Sequence, residues 1–120
     1  HIDMVAGIVA QRYSQTNAVT VSMDKISFLK PVFVGNVLFV KARVNYVQKS
    51  SMEIEVNVEA EDIAKGTRVH TGNAFVTFVA LDDNGKPTSV PTLRIENPED
   101  QKRFDEGKIR MERRLKEREK

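Results

Sequence analysis

HIDMVAGIVAQRY, residues 1–13, is the stretch around which the rest of the chain is arranged. Its apolar residues recur every three or four positions, as they do along one face of an α-helix. They are Ile2, Val5, Ala6, Val9 and Tyr13. Met4 and Ile8 widen this face, so the pattern predicts a helix that is buried on almost every side.

Asp3 is the first candidate for chemistry, because it is the only acid in this helix. A carboxylate on a buried helix costs free energy unless it is hydrogen-bonded, ion-paired or retained for a reaction. An acid in the first turn of a helix is equally well explained as an exposed group that the helix dipole stabilises. The residues of this segment leave both interpretations open.

The composition indicates a single domain. A chain of 120 residues is long enough to bury one hydrophobic core. The absence of cysteine excludes disulfides, thiolate zinc sites and a cysteine nucleophile. His1 and His70 are far apart, so we expect no metal site. With no apolar run long enough to span a membrane and no secretory signal, the sequence predicts a cytoplasmic protein.

The middle of the chain predicts antiparallel strands joined by short turns. In residues 52–61 apolar and polar residues alternate strictly, and we expect the polar face of this strand to meet water. The run AFVTFVAL at 74–81 is apolar on both sides, which is typical of a central strand. Residues 37–48 alternate so that Tyr46 shares the apolar face of Val44.

A further strand follows the helix and is the least regular of the four. Val19 and Val21 alternate with polar residues, so we expect them to face inward. The apolar positions then change phase, which predicts a bulge near Asp24 and Lys25. An apolar loop with a glycine turn is expected at residues 31–36.

The C-terminal residues 97–120 predict a charged surface helix, separate from a main domain at residues 1–96. Asn97 is a suitable capping residue and Pro98 suits the first helical position. The helix has a narrow apolar stripe and a glycine, Gly107, that weakens its middle. We expect such a helix to be dispensable for chemistry.

Basic residues dominate this helix, since residues 101–120 hold nine Lys and Arg against five Asp and Glu. A basic surface of this kind is one way to bind nucleic acid. The charges of both signs are interleaved, however, and the basic residues have neither aromatics interleaved among them nor a recognition module, so we expect no nucleic-acid binding. The residues that such a function would use are Lys102, Arg103, Arg110, Arg113 and Arg114.

Four motifs together resemble the hotdog-fold acyl-CoA thioester hydrolases, in particular the bacterial short- to medium-chain enzymes and the brain-type acyl-CoA hydrolases. They are IDMVAG at 2–7, VTVSMDKISFLKPV at 19–32 with VG at 34–35, SS at 50–51, and FVTFVALD at 75–82 with GKP at 85–87. The resemblance implies an α+β hotdog fold, in which a long antiparallel β-sheet wraps around a central helix and a C-terminal surface helix follows. Such proteins begin with a strand and a glycine-containing entry to the helix, and both are missing from this sequence.

The resemblance also implies a reaction, the hydrolysis of acyl-CoA thioesters to free fatty acid and coenzyme A. In similar enzymes the aspartate of the central helix is the base or the nucleophile, and Asp3 stands at that position. Hydrolysis of a thioester needs an activated water or nucleophile and donors for the developing oxyanion, and no cofactor. Activation of water and direct attack by Asp3 both remain open.

Coenzyme A is long and polyanionic, so its site needs cations or amides for the phosphates. Lys49, Ser50 and Ser51 form a polar turn, and in similar proteins the corresponding turn lies at the nucleotide. An ordinary polar hairpin is the alternative. Three residues are candidates for lining the pantetheine channel, although a plain edge bulge explains them equally well. They are Thr71, Gly72 and Asn73.

The resemblance further implies a homo-oligomer, in which two sheets pair into one, the active site lies between subunits, and three such dimers assemble. Long edge strands also favour pairing on physical grounds. The alternative function is that of a non-catalytic acyl-CoA-binding regulator with the same fold.

Overall fold

Two helices and four strands make up the part of the chain that the structure describes. The computed structural model describes the backbone of residues 2–26 and 37–119, and the side chains of residues 4–23 and 37–117. The loop predicted at residues 31–36 therefore lies outside the described residues. In chain order the elements are α1 (Ile2–Ser14), β1 (Asn17–Ile26), β2 (Val37–Gln48), β3 (Ser51–Asp62), β4 (Thr67–Leu81) and α2 (Pro98–Glu119).

The strands form one antiparallel sheet in the order β1-β4-β3-β2. Strand β4 lies between β1 and β3, as its two apolar faces predicted. Within the described residues β1 and β2 are the two edges of the sheet.

Helix α1 packs on one face of this sheet, which we call the core face. Ala6 and Ala10 are fully buried, and their small side chains let the helix backbone approach the strands. A Cβ atom added at Gly7 would lie 3.8 Å from Cε1 of Phe78, which is ordinary van der Waals contact. The strands supply most of the rest of the core, namely Met52, Ile54, Val56, Val76, Phe78 and Ala80.

One side of α1 faces away from the sheet, so the prediction of almost complete burial is wrong. Met4 is 66% exposed and Ile8 is 46% exposed. A single sheet covers only one side of a helix, and the sequence pattern does not reveal whether another chain covers the other.

Strand β1 carries its bulge at a different place from the one predicted. The register shifts between Thr20 and Ser22, whereas Asp24 and Lys25 pair regularly with β4. Val21 is therefore the extra residue and is exposed. The inward positions before the bulge are even-numbered, so Val19 is also exposed rather than buried.

A second bulge, which the sequence did not predict, lies in β2. The register shifts between Val44 and Tyr46, so that Val44 pairs with Ile54 and Tyr46 pairs with Glu53. Because a shift of one residue moves a side chain to the other face of a sheet, Tyr46 does not share the face of Val44. It lies on the opposite face, which we call the outer face.

Helix α2 covers part of this outer face. Glu53 has no exposed surface, and its carboxylate accepts hydrogen bonds from Nε and Nη2 of Arg110 at 2.9 and 2.7 Å. The rings of Tyr46 and Phe104 meet edge to face with centroids 4.7 Å apart. The expectation that the polar face of β3 meets water is therefore wrong at Glu53, because a charged strand residue and a charged helix residue neutralise each other there.

The start of α2 is as predicted. The side chain of Asn97 accepts a hydrogen bond of 2.8 Å from the backbone N–H of Asp100, which satisfies one donor of the first turn. The division into a domain at residues 1–96 and a helix at 97–120 stays a prediction. Neither described helix has the length and apolar character needed to cross a lipid bilayer.

Gly107 is the point at which α2 lies closest to the sheet. A Cβ atom there would lie 2.7 Å from Cβ of Tyr46 and 3.1 Å from Oε1 of Glu53. Alanine at an exposed helix position is more favourable than glycine by about 1 kcal/mol. We expect the sign to reverse here, so that Gly107→Ala lowers the free energy of unfolding by about 1–3 kcal/mol through overpacking. Urea unfolding measures the free energy of unfolding. The matched control is Lys108→Ala at an exposed position, which should change this free energy little. A Gly107→Ala protein that is more stable than the wild type would contradict the prediction.

Candidate functional site

Asp3 lies on the face of α1 that is turned towards the sheet. It precedes the buried Ala6 and Ala10 by three and seven residues, and positions with these spacings share one side of a helix. The structure describes its backbone, while its side chain lies outside the described residues. The catalytic role of Asp3 stays a prediction.

The turn that joins β2 to β3 is held firmly in place. Gln48 pairs with Ser51, so Lys49 and Ser50 form a two-residue turn. The carbonyl oxygen of Ser50 accepts a hydrogen bond of 2.9 Å from the N–H of Ala80. That of Lys49 accepts one of 2.8 Å from the N–H of Val90, in the segment after β4. Two neighbouring segments thus fix the turn, so its side chains have a defined base.

A cavity of about 220 Å³ lies between this turn and the C-terminal part of α2, on the outer face; we call it the hairpin cavity. It brings the three predicted nucleotide-binding residues together. The described residues that line it include two cations, Lys49 and Arg114, and no acid. The full lining comprises Val21, Gln48, Lys49, Ser50, Ser51, Thr77, Val79, Met111, Arg114 and Leu115. Two cations beside hydroxyl groups form a surface suited to phosphate.

Arg114 is a member of this site that sequence reasoning did not assign to it. Its Nη1 donates a hydrogen bond to Oγ1 of Thr77, on the outer face of β4. This contact holds the guanidinium at the wall of the hairpin cavity, which Arg114 lines together with Lys49. The available signal was the spacing of four between Arg110 and Arg114, which places both on one side of a helix.

The residues predicted for the pantetheine channel lie apart from the hairpin cavity. Thr71 is fully buried at a bulge, and its hydroxyl donates a hydrogen bond of 3.1 Å to the carbonyl of Val58. Gly72 is buried too. Asn73 lines a second cavity of about 510 Å³ under the N-terminal half of α2. Val79 lines the hairpin cavity, and Asn73 lies six residues before it on β4, which corresponds to about 20 Å.

Arg110 keeps its charge inside the α2 interface. Burial opposes the charged form, but the hydrogen bonds and the charge of Glu53 more than offset this, and the pKa of Arg110 is raised above its usual value. Burial also raises the pKa of Tyr46, and the nearby Glu112 adds to this. A permanently charged arginine and a neutral tyrosine therefore define the contact between α2 and the sheet.

Comparison with known proteins identifies the family. The family model of the thioesterase superfamily matches residues 2–67, more than half of the chain. The chain belongs to the thioesterase superfamily. A cytosolic acyl coenzyme A thioester hydrolase of Rattus norvegicus is 42% identical over 111 residues, which are 91% of this chain and 29% of that protein. An uncharacterized acyl-CoA thioester hydrolase of Bacillus subtilis is 41% identical over 100 residues, 83% of this chain and 58% of that protein.

Solved structures of the superfamily confirm the α+β hotdog fold. An acyl-CoA hydrolase of Staphylococcus aureus, determined in complex with butyryl coenzyme A, coenzyme A and coenzyme A disulfide, has a TM-score of 0.88 and 37% identity. The match covers 98% of this chain and 71% of that one. An acyl-CoA hydrolase of Bacillus cereus reaches a TM-score of 0.91 at 33% identity, with the same coverage. The resemblance stated from four motifs is confirmed.

Three of the four arginines of α2 that a nucleic-acid site would use make contacts within this thioesterase-superfamily chain. Arg110 binds Glu53, Arg114 contacts Thr77, and Arg103 pairs with acids of the first helical turn. We expect no binding to duplex DNA that survives about 0.15 M salt, where exposed charges are largely screened. Fluorescence anisotropy of a labelled duplex across a salt series measures this. Affinity that persisted at high salt would contradict the expectation.

Proposed function

We propose that the protein hydrolyses acyl-CoA thioesters, adding water across the C–S bond to release a fatty acid and coenzyme A. The observation that carries the proposal is the hairpin cavity, with two cations and the hydroxyls of the predicted nucleotide turn, in a chain of this superfamily. The chain spans less than a third of the mammalian relatives that it matches, so the activity of the whole protein is part of the proposal.

In this proposal the hairpin cavity holds the nucleotide end of coenzyme A. Lys49 and Arg114 supply charge to the phosphates, and Ser50 and Ser51 supply hydroxyl donors. Val21 and Leu115 give the same cavity an apolar side against which a base can lie. The cavity thus matches both the charge and the amphipathic character of a nucleotide.

The backbone of Lys49 has a conformation that the hairpin turn requires. Its φ is +53°, in the left-handed region that glycine or asparagine adopts most easily. Holding another residue there costs about 1–2 kcal/mol. Two-residue hairpin turns use a positive φ at a central position, so the turn itself accounts for this conformation, and the proposed role of Lys49 rests on its place beside the hairpin cavity.

Asp3 is proposed as the catalytic carboxylate. The backbone of Asp3 lies on the sheet-facing stripe of α1, and a carboxylate is a suitable base for a positioned water, which supports this role. Direct attack of the carboxylate on the thioester carbonyl breaks the C–S bond, expels coenzyme A as the thiolate and leaves a mixed anhydride, which water then cleaves to the fatty acid and the free carboxylate. Both routes depend on the same ionised group.

The two halves of the proposed site lie on opposite faces of the sheet, since α1 packs on the core face and the hairpin cavity lies on the outer face. Coenzyme A must therefore pass over an edge of the sheet, or reach Asp3 of a second copy.

We propose a homo-oligomer, assembled as a trimer of hotdog dimers. The exposed Met4 and Ile8 support it, as do structures of similar thioesterases that are described as hexameric.

The roles of Thr71, Gly72 and Asn73 at pantetheine stay a proposal, which the buried, internally bonded hydroxyl of Thr71 does not favour. We also propose that residues 1–96 carry catalysis and that residues 97–120 complete the nucleotide site.

A cytoplasmic location is proposed on the names of the mammalian relatives, which are described as cytosolic.

The alternative is a regulator that binds acyl-CoA without cleaving it. Exchange of the Asp3 carboxylate separates the two functions. Asp3→Asn keeps the shape but cannot accept a proton, so we expect turnover to fall by about a hundredfold or more while assembly is unchanged. Release of free thiol from acyl-CoAs of increasing chain length measures turnover, with size-exclusion chromatography as the control. Equal turnover of the variant would remove Asp3 from catalysis, and a wild-type protein without turnover would favour the regulator.

The nucleotide turn gives a second prediction. Lys49→Ala combined with Ser51→Ala should raise KM for acyl-CoA by about tenfold or more and change kcat little, because a remote group binds ground state and transition state alike. Steady-state kinetics of both proteins measure the two constants. Lys41→Ala, exposed on β2 outside both cavities, serves as the control for loss of a surface charge. An unchanged KM in the double variant would place the nucleotide elsewhere.

A further inference from the structure

Three neighbouring side chains of the outer face meet three successive turns of α2. Tyr46, Glu53 and Thr77 are direct cross-strand partners on β2, β3 and β4. Gly107 lies against Tyr46, Arg110 binds Glu53, and Arg114 binds Thr77.

Helix and sheet geometry explain why these contacts coincide. Steps of three and four residues along a helix advance it by about 4.5 and 6 Å, close to the spacing of about 4.8 Å between neighbouring strands. One side of α2 can therefore contact one strand with each turn. The match holds for a single axial position of the helix, so any slide or rotation of α2 displaces all three contacts together.

The contact in the middle is the most restrictive of the three. The two hydrogen bonds from Arg110 to Glu53 are nearly parallel, and such a bidentate pair fixes direction as well as distance. The guanidinium also lies 3.7 Å from the centroid of the Phe75 ring, which holds its plane. Because Glu53 is fully buried, no water competes for its oxygens.

We infer that the Glu53–Arg110 pair is a positioning device, which sets the axial position of α2 so that Arg114 lies in the hairpin cavity. The inference rests on the proposed function, because it takes Arg114 as a ligand of the phosphates. Arg110 lines the second cavity and not the hairpin cavity, so it acts on the nucleotide only through the helix.

The test is the variant Arg110→Lys, which keeps the charge but cannot form two parallel hydrogen bonds. We expect KM for acyl-CoA to rise by about tenfold and kcat to stay within about twofold, since a remote phosphate contact is weakened equally in ground and transition states. The second substrate is the corresponding S-acyl-pantetheine, which lacks the nucleotide and its phosphates. Its KM should stay within about twofold, because Arg114 has nothing to bind there.

Two controls make the outcome specific. Arg113→Lys is the same exchange on the same helix, at an exposed arginine that lines neither cavity, and it should leave both KM values unchanged. In an Arg114→Gln background, Arg110→Lys should raise KM for acyl-CoA no further, because residues that act through one another are not additive.

The outcomes separate the inference from the proposed function. An Arg110→Lys protein with unchanged KM for acyl-CoA, or with equal changes for both substrates, would overturn the positioning role. Additive effects of Arg110→Lys and Arg114→Gln would also overturn it. A partly unfolded variant loses kcat for both substrates but keeps their KM ratio, so instability alone cannot imitate the expected result. If the wild-type protein cleaves neither substrate, the proposed function fails, and the inference fails with it.

Discussion

The contact between α1 and the sheet is the constraint on which the rest of the structure depends. Ala6 and Ala10 are fully buried and carry no side chain beyond Cβ, so the helix lies close to β3 and β4. Larger residues there would push the helix away from the strands and disturb the close packing of the core. The same contact turns the position of Asp3 towards the sheet. One packing arrangement thus defines the core and the location of the proposed catalytic group.

The outer face follows a different physical rule. Where the core face is held by apolar packing, α2 is held by a buried ion pair, an aromatic contact and a glycine without a side chain. A buried ion pair adds less to stability than to specificity, because desolvation of both charges offsets much of their attraction. Gly107 lowers the intrinsic stability of the helix, because glycine is a poor helix former. The same residue lets α2 approach Tyr46, because it has no side chain.

The proposed site joins these two layers. Helix α1, which carries Asp3, packs on the core face, and the hairpin cavity lies on the outer face, so the proposed site suits a long ligand rather than a compact one. A turn that two neighbouring segments anchor and a helix with a defined axial position present two cations to the same cavity. Preorganised charges of this kind bind phosphates without the entropy cost of ordering flexible side chains.

The sequence by itself determined the elements, the central position of β4, the cap at Asn97, the family, and the candidates Asp3 and Lys49, because these depend on periodicity, local turn chemistry and motifs that neighbouring residues carry. Only the tertiary structure decided where the bulges lie, which turned Tyr46 to the outer face and left Val19 exposed. A bulge is selected by the partner strand, and alternation along one strand does not record it. Tertiary structure also decided the burial of Glu53, which meets Arg110 from 57 positions away, and the place of Arg114, which meets Thr77 from 37 positions away. A charge pattern along the chain does not show which distant residues will pair.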